Sequence, residues 1–250
     1  MWHSALDLTR NPGPPDNVQP RNAPMTSANP QEDTNWTLAS DIRGIRVYVR
    51  NQPDSRLKAF RAVMRMELAD EYALVALGND YPNLPRWMHF IRHVEELQRE
   101  GPLRRWVRFI TRLPWPLHDR EVVLRLDVEQ HRDEQDDGVR VRFHNVDDLL
   151  PRDSPYLTVP ELHGVSGFRR LPDHEIELFY ELSLDPGGRI PAWLANRVLR
   201  DAPFFTLERL RGVIHRPEYQ GRYFDYLDLN GPGRPGNTAT RDDPSSSPSR

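Results

Sequence analysis

The sequence contains no cysteine, which excludes a disulfide framework, a thiolate zinc site and a cysteine nucleophile, and leaves redox chemistry silent about compartment. Lysine is almost as scarce: Lys58 is the only one, and arginine supplies the rest of the positive charge. A formal net charge of -3 lacks the basic excess of a nucleic-acid binder, so no nucleic-acid partner is expected. No stretch approaches the roughly 18 consecutive apolar residues of a membrane-spanning helix. The opening residues Met1-Trp2-His3-Ser4-Ala5-Leu6-Asp7 have neither the basic nor the apolar region of a secretory signal, and a cytoplasmic location is the expectation.

Proline is plentiful, and its placement divides the chain. Residues 1–33 combine Pro, Asn, Gly and Asp without apolar period and read as disordered. Residues 217–250 begin with an aromatic patch (Tyr219, Tyr223, Phe224, Tyr226) and end in a Pro/Ser/Gly tail, expected to be largely disordered too. Residues 34–216 remain as one domain of roughly 180 residues, enough to bury close to 70% of its unfolded surface.

Two proline-flanked segments bracket the informative part of that domain: Leu113-Pro114-Trp115-Pro116-Leu117-His118-Asp119-Arg120 and Asp185-Pro186-Gly187-Gly188-Arg189-Ile190-Pro191-Ala192-Trp193-Leu194. Between them apolar residues recur at every second position. Val122, Leu124, Leu126 and Val128 oppose Arg125, Asp127 and Glu129; Val139, Val141 and Phe143 oppose Arg140, Arg142 and His144; Ile176, Leu178, Tyr180, Leu182 and Leu184 oppose Glu175, Glu177 and Glu181. Period two with one dry face describes an antiparallel sheet covered on one side.

Upstream, Trp36–Ser40 and Ile45–Arg50 read as strands joined by a turn at 41–44. Leu57–Leu68 fits strand or helix, and Ala69–Leu77 is a helix stopped by Gly78-Asn79. Trp87–Glu100 and Leu103–Thr111 read as a hairpin turned at Gly101-Pro102, with a helix as the alternative for the first segment. The cover is Ile190–Ile214, with Pro191 at a helix start and Leu194, Val198 and Ala202 on one stripe. Pro203 lies inside it and is expected to kink or break it.

These residues resemble the START domain, the lipid-transfer domain named after the steroidogenic acute regulatory protein. The resemblance rests on Trp36, Gly44-Ile45, Tyr48, Trp87, Leu113–Leu117 with Asp119-Arg120, and Asp185–Leu194 with Leu207 and Leu210. The Asp185–Leu194 stretch is similar to phosphatidylcholine-transfer-type members. The resemblance implies an α+β helix-grip fold, a curved antiparallel sheet wrapped around a long kinked C-terminal helix, with a tunnel for one lipid or other hydrophobic molecule, used for transfer or sensing. It implies no enzyme activity and no cofactor. The implied partners are a phospholipid, sterol or fatty-acid-like ligand and, transiently, a membrane surface, with the protein a monomer. Sterol-binding members are expected to carry an inward Arg on the strand after Asp-Arg. Here Val122, Leu124 and Leu126 hold that phase and Arg125 faces away, which weakens a sterol assignment.

The tunnel-lining candidates are Val122, Leu124, Leu126, Val141, Phe143, Leu178, Tyr180, Leu182, Leu194 and Val198; equally, they suit a solid core. Glu161 and His163 share a strand face and are the candidate polar contacts, a solvated edge being the bland alternative. An enzyme of the wider helix-grip superfamily, cyclase-like or hydroxylase-subunit-like, would need Glu161, His163 and Tyr180 to converge. Asp119-Arg120 is either a headgroup contact or, more commonly, a loop-fixing ion pair, and Trp115 and Trp193 read as core anchors before tunnel gates or membrane contacts. His89 and His93 lack the glutamate of a metalloprotease helix, and on a strand their rings stand about 13 Å apart, so no metal site is expected. Gly231–Gly236 matches a dinucleotide-binding pattern only formally, because its prolines remove the amides that hold phosphate.

Overall fold

The computed structural model describes residues 36–51, 58–133, 136–151, 153–185, 187 and 192–235, with the backbone alone for 51, 58 and 192–196. The first hairpin joins β1 (Thr37–Ile42) to β2 (Ile45–Asn51), with Ile42 paired to Ile45. Its two loop residues, Arg43 and Gly44, have φ of 54° and 74°, the left-handed pair that matches the twist of the flanking strands. The ambiguous segment that follows is a strand, β3 (Lys58–Glu67), because it pairs along its whole length with the final strand. The helix stopped at Gly78-Asn79 is α1 (Tyr72–Asn79), which buries Tyr72, Ala73 and Leu77.

A one-turn helix, α2 (Leu84–Trp87), stands where the expected hairpin was to begin, and the strand starts later. Its continuation is β4 (Ile91–Glu100) and β5 (Arg104–Thr111), turned at Gly101. Then come β6 (Arg120–Asp133), β7 (Asp136–Asn145), the two-residue β8 (Leu157–Thr158), β9 (Glu161–Arg170) and β10 (Glu175–Asp185). The strands form one sheet in the order β1-β2-β3-β10-β9-β7-β6-β5-β4, antiparallel except where β8 lies parallel to β6.

Helix α3 (Ala192–Val213) crosses the concave face and touches β2, β3 and α2. Leu199, Pro203, Thr206, Leu207 and Leu210 are buried, a spacing of three to four residues that places them on one stripe. Pro203 does not break the helix, which runs unbroken from Ala192 to Val213. This is the helix-grip fold: a mostly antiparallel sheet holding a C-terminal helix.

Packing does not stop at residue 216. Tyr219, Leu227 and Leu229 are buried, Leu229 completely. The Tyr72 hydroxyl donates to the Leu227 carbonyl at 3.0 Å, and the Glu71 amide donates to the Asn230 carbonyl at 2.7 Å. Glu71, itself buried, accepts from Arg170 at 2.8 and 2.6 Å, so a neutralised carboxylate anchors the segment. The expected disordered tail therefore includes a packed stretch, because apolar anchors spaced among polar residues escape a reading by composition. Residues 1–33 and 236–250 lie outside the described residues.

Candidate functional site

Between the concave sheet and α3 lie two adjoining chambers with volumes of ≈ 340 Å³ and ≈ 240 Å³. Both share Tyr81, Trp87, Met88, Leu126, Val141, Ser166 and Tyr180 in their walls. Each is within the range of about 300–1,000 Å³, or close below it, that holds a drug-sized molecule. The strand phase explains the lining. Val122, Leu124 and Leu126 on β6 stand opposite Phe109, Val107 and Arg105 on β5, and all six turn to the inner face.

Val122, Leu124, Leu126, Val141, Phe143, Tyr180, Leu182 and Val198 line the larger chamber, and Leu178 lines the smaller. The side chains of Leu194 and Trp193 lie outside the described residues. Glu161 and His163 turn the other way: their side chains are 54% and 50% exposed, with His163 Nδ1 3.7 Å from Glu161 Oε1. On β9 it is Leu162 and Ser166 that line the larger chamber, and Ser166, Gly167 and Phe168 the smaller. Of the three polar residues needed to converge for catalysis, only Tyr180 is inside. Its ring packs edge-on against Phe60 at 5.1 Å, and burial pushes its phenol up to about 12, so it is a neutral hydroxyl at any physiological pH.

The proline-flanked loop before β6 divides its apolar residues between the cavity and the solvent. Leu113 and Leu117 line the larger chamber while Trp115, between them, is 90% exposed, which overturns its reading as a core anchor. Asp119 pairs with Arg92 at 3.0 Å. Arg120 is buried against the larger chamber and donates to the His118 carbonyl, and burial lowers its pKa against the pull of Asp119.

Two polar wall residues, His89 and Arg105, are not among the lining candidates read from the sequence. His89 precedes β4 and stacks near Phe90 and Phe205, with ring centroids 4.0 and 5.0 Å away. Burial, aided by Arg209, lowers its pKa. Its distance from the strand removes the face shared with His93, and no cluster of metal-ligating side chains occurs among the described residues. Arg105 was visible in the phase Arg105-Val107-Phe109, a cation on an otherwise apolar inner face.

A sheet that grips a helix over an apolar cavity defines a hydrophobic-ligand-binding protein of the helix-grip class. No family model matches the chain. It is 31% identical over 182 residues to an uncharacterized protein of Pseudomonas aeruginosa, covering 72% of this chain and 87% of that one. It is 30% identical to the STAR-related lipid transfer protein (fragment 25–204) of Xanthomonas axonopodis, with a TM-score of 0.64 over 73% of this chain and 99% of that one. Human StAR-related lipid transfer protein 5 shares the fold at 14% identity, with a TM-score of 0.64 over 74% and 88% of the two chains. The chain belongs to the STAR-related lipid transfer family. Among the described residues, no helix is long and apolar enough to cross a membrane.

Proposed function

We propose that the protein carries one lipid at a time in the paired chambers and exchanges it at a membrane surface. The observation that supports this most is the cavity itself: inward phase on four neighbouring strands produces continuous apolar walls where a protein of this size normally closes its core. Burial of a lipid tail there is favourable at about 25 cal/mol per Å² of apolar surface removed from water. Trp115 supports the membrane contact, since an indole held out beside the larger chamber is suited to the polar–apolar boundary of a bilayer. The similarity to phosphatidylcholine-transfer-type members falls mainly on residues outside the described set, so phospholipid is one ligand among those to be tested. The protein acts in this reading as a monomer without cofactor, in the cytoplasm and without catalysis.

Native mass spectrometry of the purified chain is expected to show a single bound lipid, and Leu124→Arg, which sets a charge on the inner wall, is expected to lose it or to fail to fold. A chain that takes up no phospholipid, sterol or fatty acid refutes the reading.

A further inference from the structure

The smaller chamber contains a charge that the apolar walls do not account for. Arg105 is 5% exposed and stands on β5 opposite Leu126, itself a wall residue of both chambers. Its guanidinium meets neutral groups only: Nη1 donates to Asn79 Oδ1 and to the Tyr81 hydroxyl at 3.1 Å, and Nη2 donates to the Pro102 carbonyl at 3.1 Å. Nε has no hydrogen-bond partner. No carboxylate forms an ion pair with Arg105 among the described residues. Glu96 is close enough to feel the charge of Arg105, but its carboxylate oxygens are taken by Arg99 at 2.9 and 3.0 Å.

A guanidinium has five N–H donors and no acceptor, and three are used here. Burial of a cation without a carboxylate in direct contact is unfavourable, and a carboxylate or phosphate brought to it gains a forked, charge-assisted contact. Asn79 and Tyr226, joined by an Asn79 Nδ2 to Tyr226 hydroxyl bond of 3.3 Å, complete a polar end wall. The rest of the cavity offers apolar surface for a tail.

We propose that Arg105 binds the anionic group of a single-chain lipid, a carboxylate or a phosphate, with the tail running from the smaller into the larger chamber. The inference rests on the lipid-carrier reading and adds a ligand class to it. Two chambers of ≈ 240 and ≈ 340 Å³ suit one chain, since sites of about 300–1,000 Å³ hold drug-sized molecules.

Titration of the full chain with hexadecanoate, hexadecyl phosphate and hexadecanol separates the possibilities. At least one anion is expected to bind roughly ten- to a hundredfold more tightly than the alcohol, the worth of a hydrogen bond to a charged group; the tighter of the two identifies carboxylate or phosphate. Arg105→Gln, which keeps hydrogen-bonding capacity, is expected to abolish that preference, so that the anions bind no more tightly than hexadecanol, while Arg105→Lys retains part of it. Equal binding of all three ligands by the unaltered chain, or a preference that persists in Arg105→Gln, limits Arg105 to tying the β4–β5 turn to α1 and overturns the proposal. Failure of all three ligands, hexadecanol included, overturns the carrier reading itself.

Discussion

His89 shows how one side chain couples the cavity to its surroundings. It lines the larger chamber, and burial and Arg209 lower its pKa below the ordinary 6.5. The unfolded chain thus binds the proton more readily than the folded one, so the neutral ring contributes stability above pH 6.5 that is lost as the pH falls through its folded value. His144, also lowered by burial, adds to the same slope. Urea midpoints measured between pH 8 and pH 5 are expected to fall towards acid, and less steeply in His89→Phe. A variant with the slope of the unaltered chain excludes His89 as a contributor. None of this was legible in the sequence, where His89 was weighed only with His93. Half of the aromatic environment of its ring comes from Phe205, on a helix more than a hundred positions away.

At the scale of elements, alternation was informative where the two faces differed strongly. On β6 and β10 charged residues alternate with aliphatic ones, and the inner phase follows directly. On β9 both faces mix apolar and small residues, so alternation leaves Glu161 and His163 open between polar contacts and a solvated edge; they point out. The inner face there is Leu162, Gly164, Ser166 and Phe168. Gly164 is small for a reason: a Cβ would lie 2.3 Å from the Glu181 carbonyl and 2.7 Å from the Phe143 ring, so only glycine fits beside that carbonyl and that ring. The loop carrying Trp115 follows a different rule. Prolines on either side fix its φ values, and the indole is held in water beside Leu113 and Leu117. Trp115→Ser is expected to leave the unfolding free energy within about 0.5 kcal/mol, as for other exposed positions, and to slow lipid exchange between vesicles several-fold. An unchanged exchange rate would remove the loop from the membrane contact.

For the whole molecule, the sheet and its covering helix were legible from periodicity and two prolines, whereas the end of the domain was not. Composition measures the average of a segment, and the stretch after α3 is held by a few residues: Tyr219, Leu227, Leu229 and the bonds of Asn230 to Glu71. The Tyr219 hydroxyl donates to Asp80 at 2.9 Å, which ties the same segment to the end of α1. Leu229→Ala, at a fully buried position, is expected to cost about 2–5 kcal/mol in urea unfolding; a loss under ~1 kcal/mol would show that the segment folds back only loosely.

That last segment also contributes Tyr226 and Leu227 to the smaller chamber. The receptacle therefore has no bottom until the chain has been synthesised beyond Leu229, and a nascent polypeptide that has already formed its sheet and helix is still an open-ended sleeve. The wall that closes this end of the cavity is thus supplied by a stretch of chain beyond the sheet and the helix that form the rest of it.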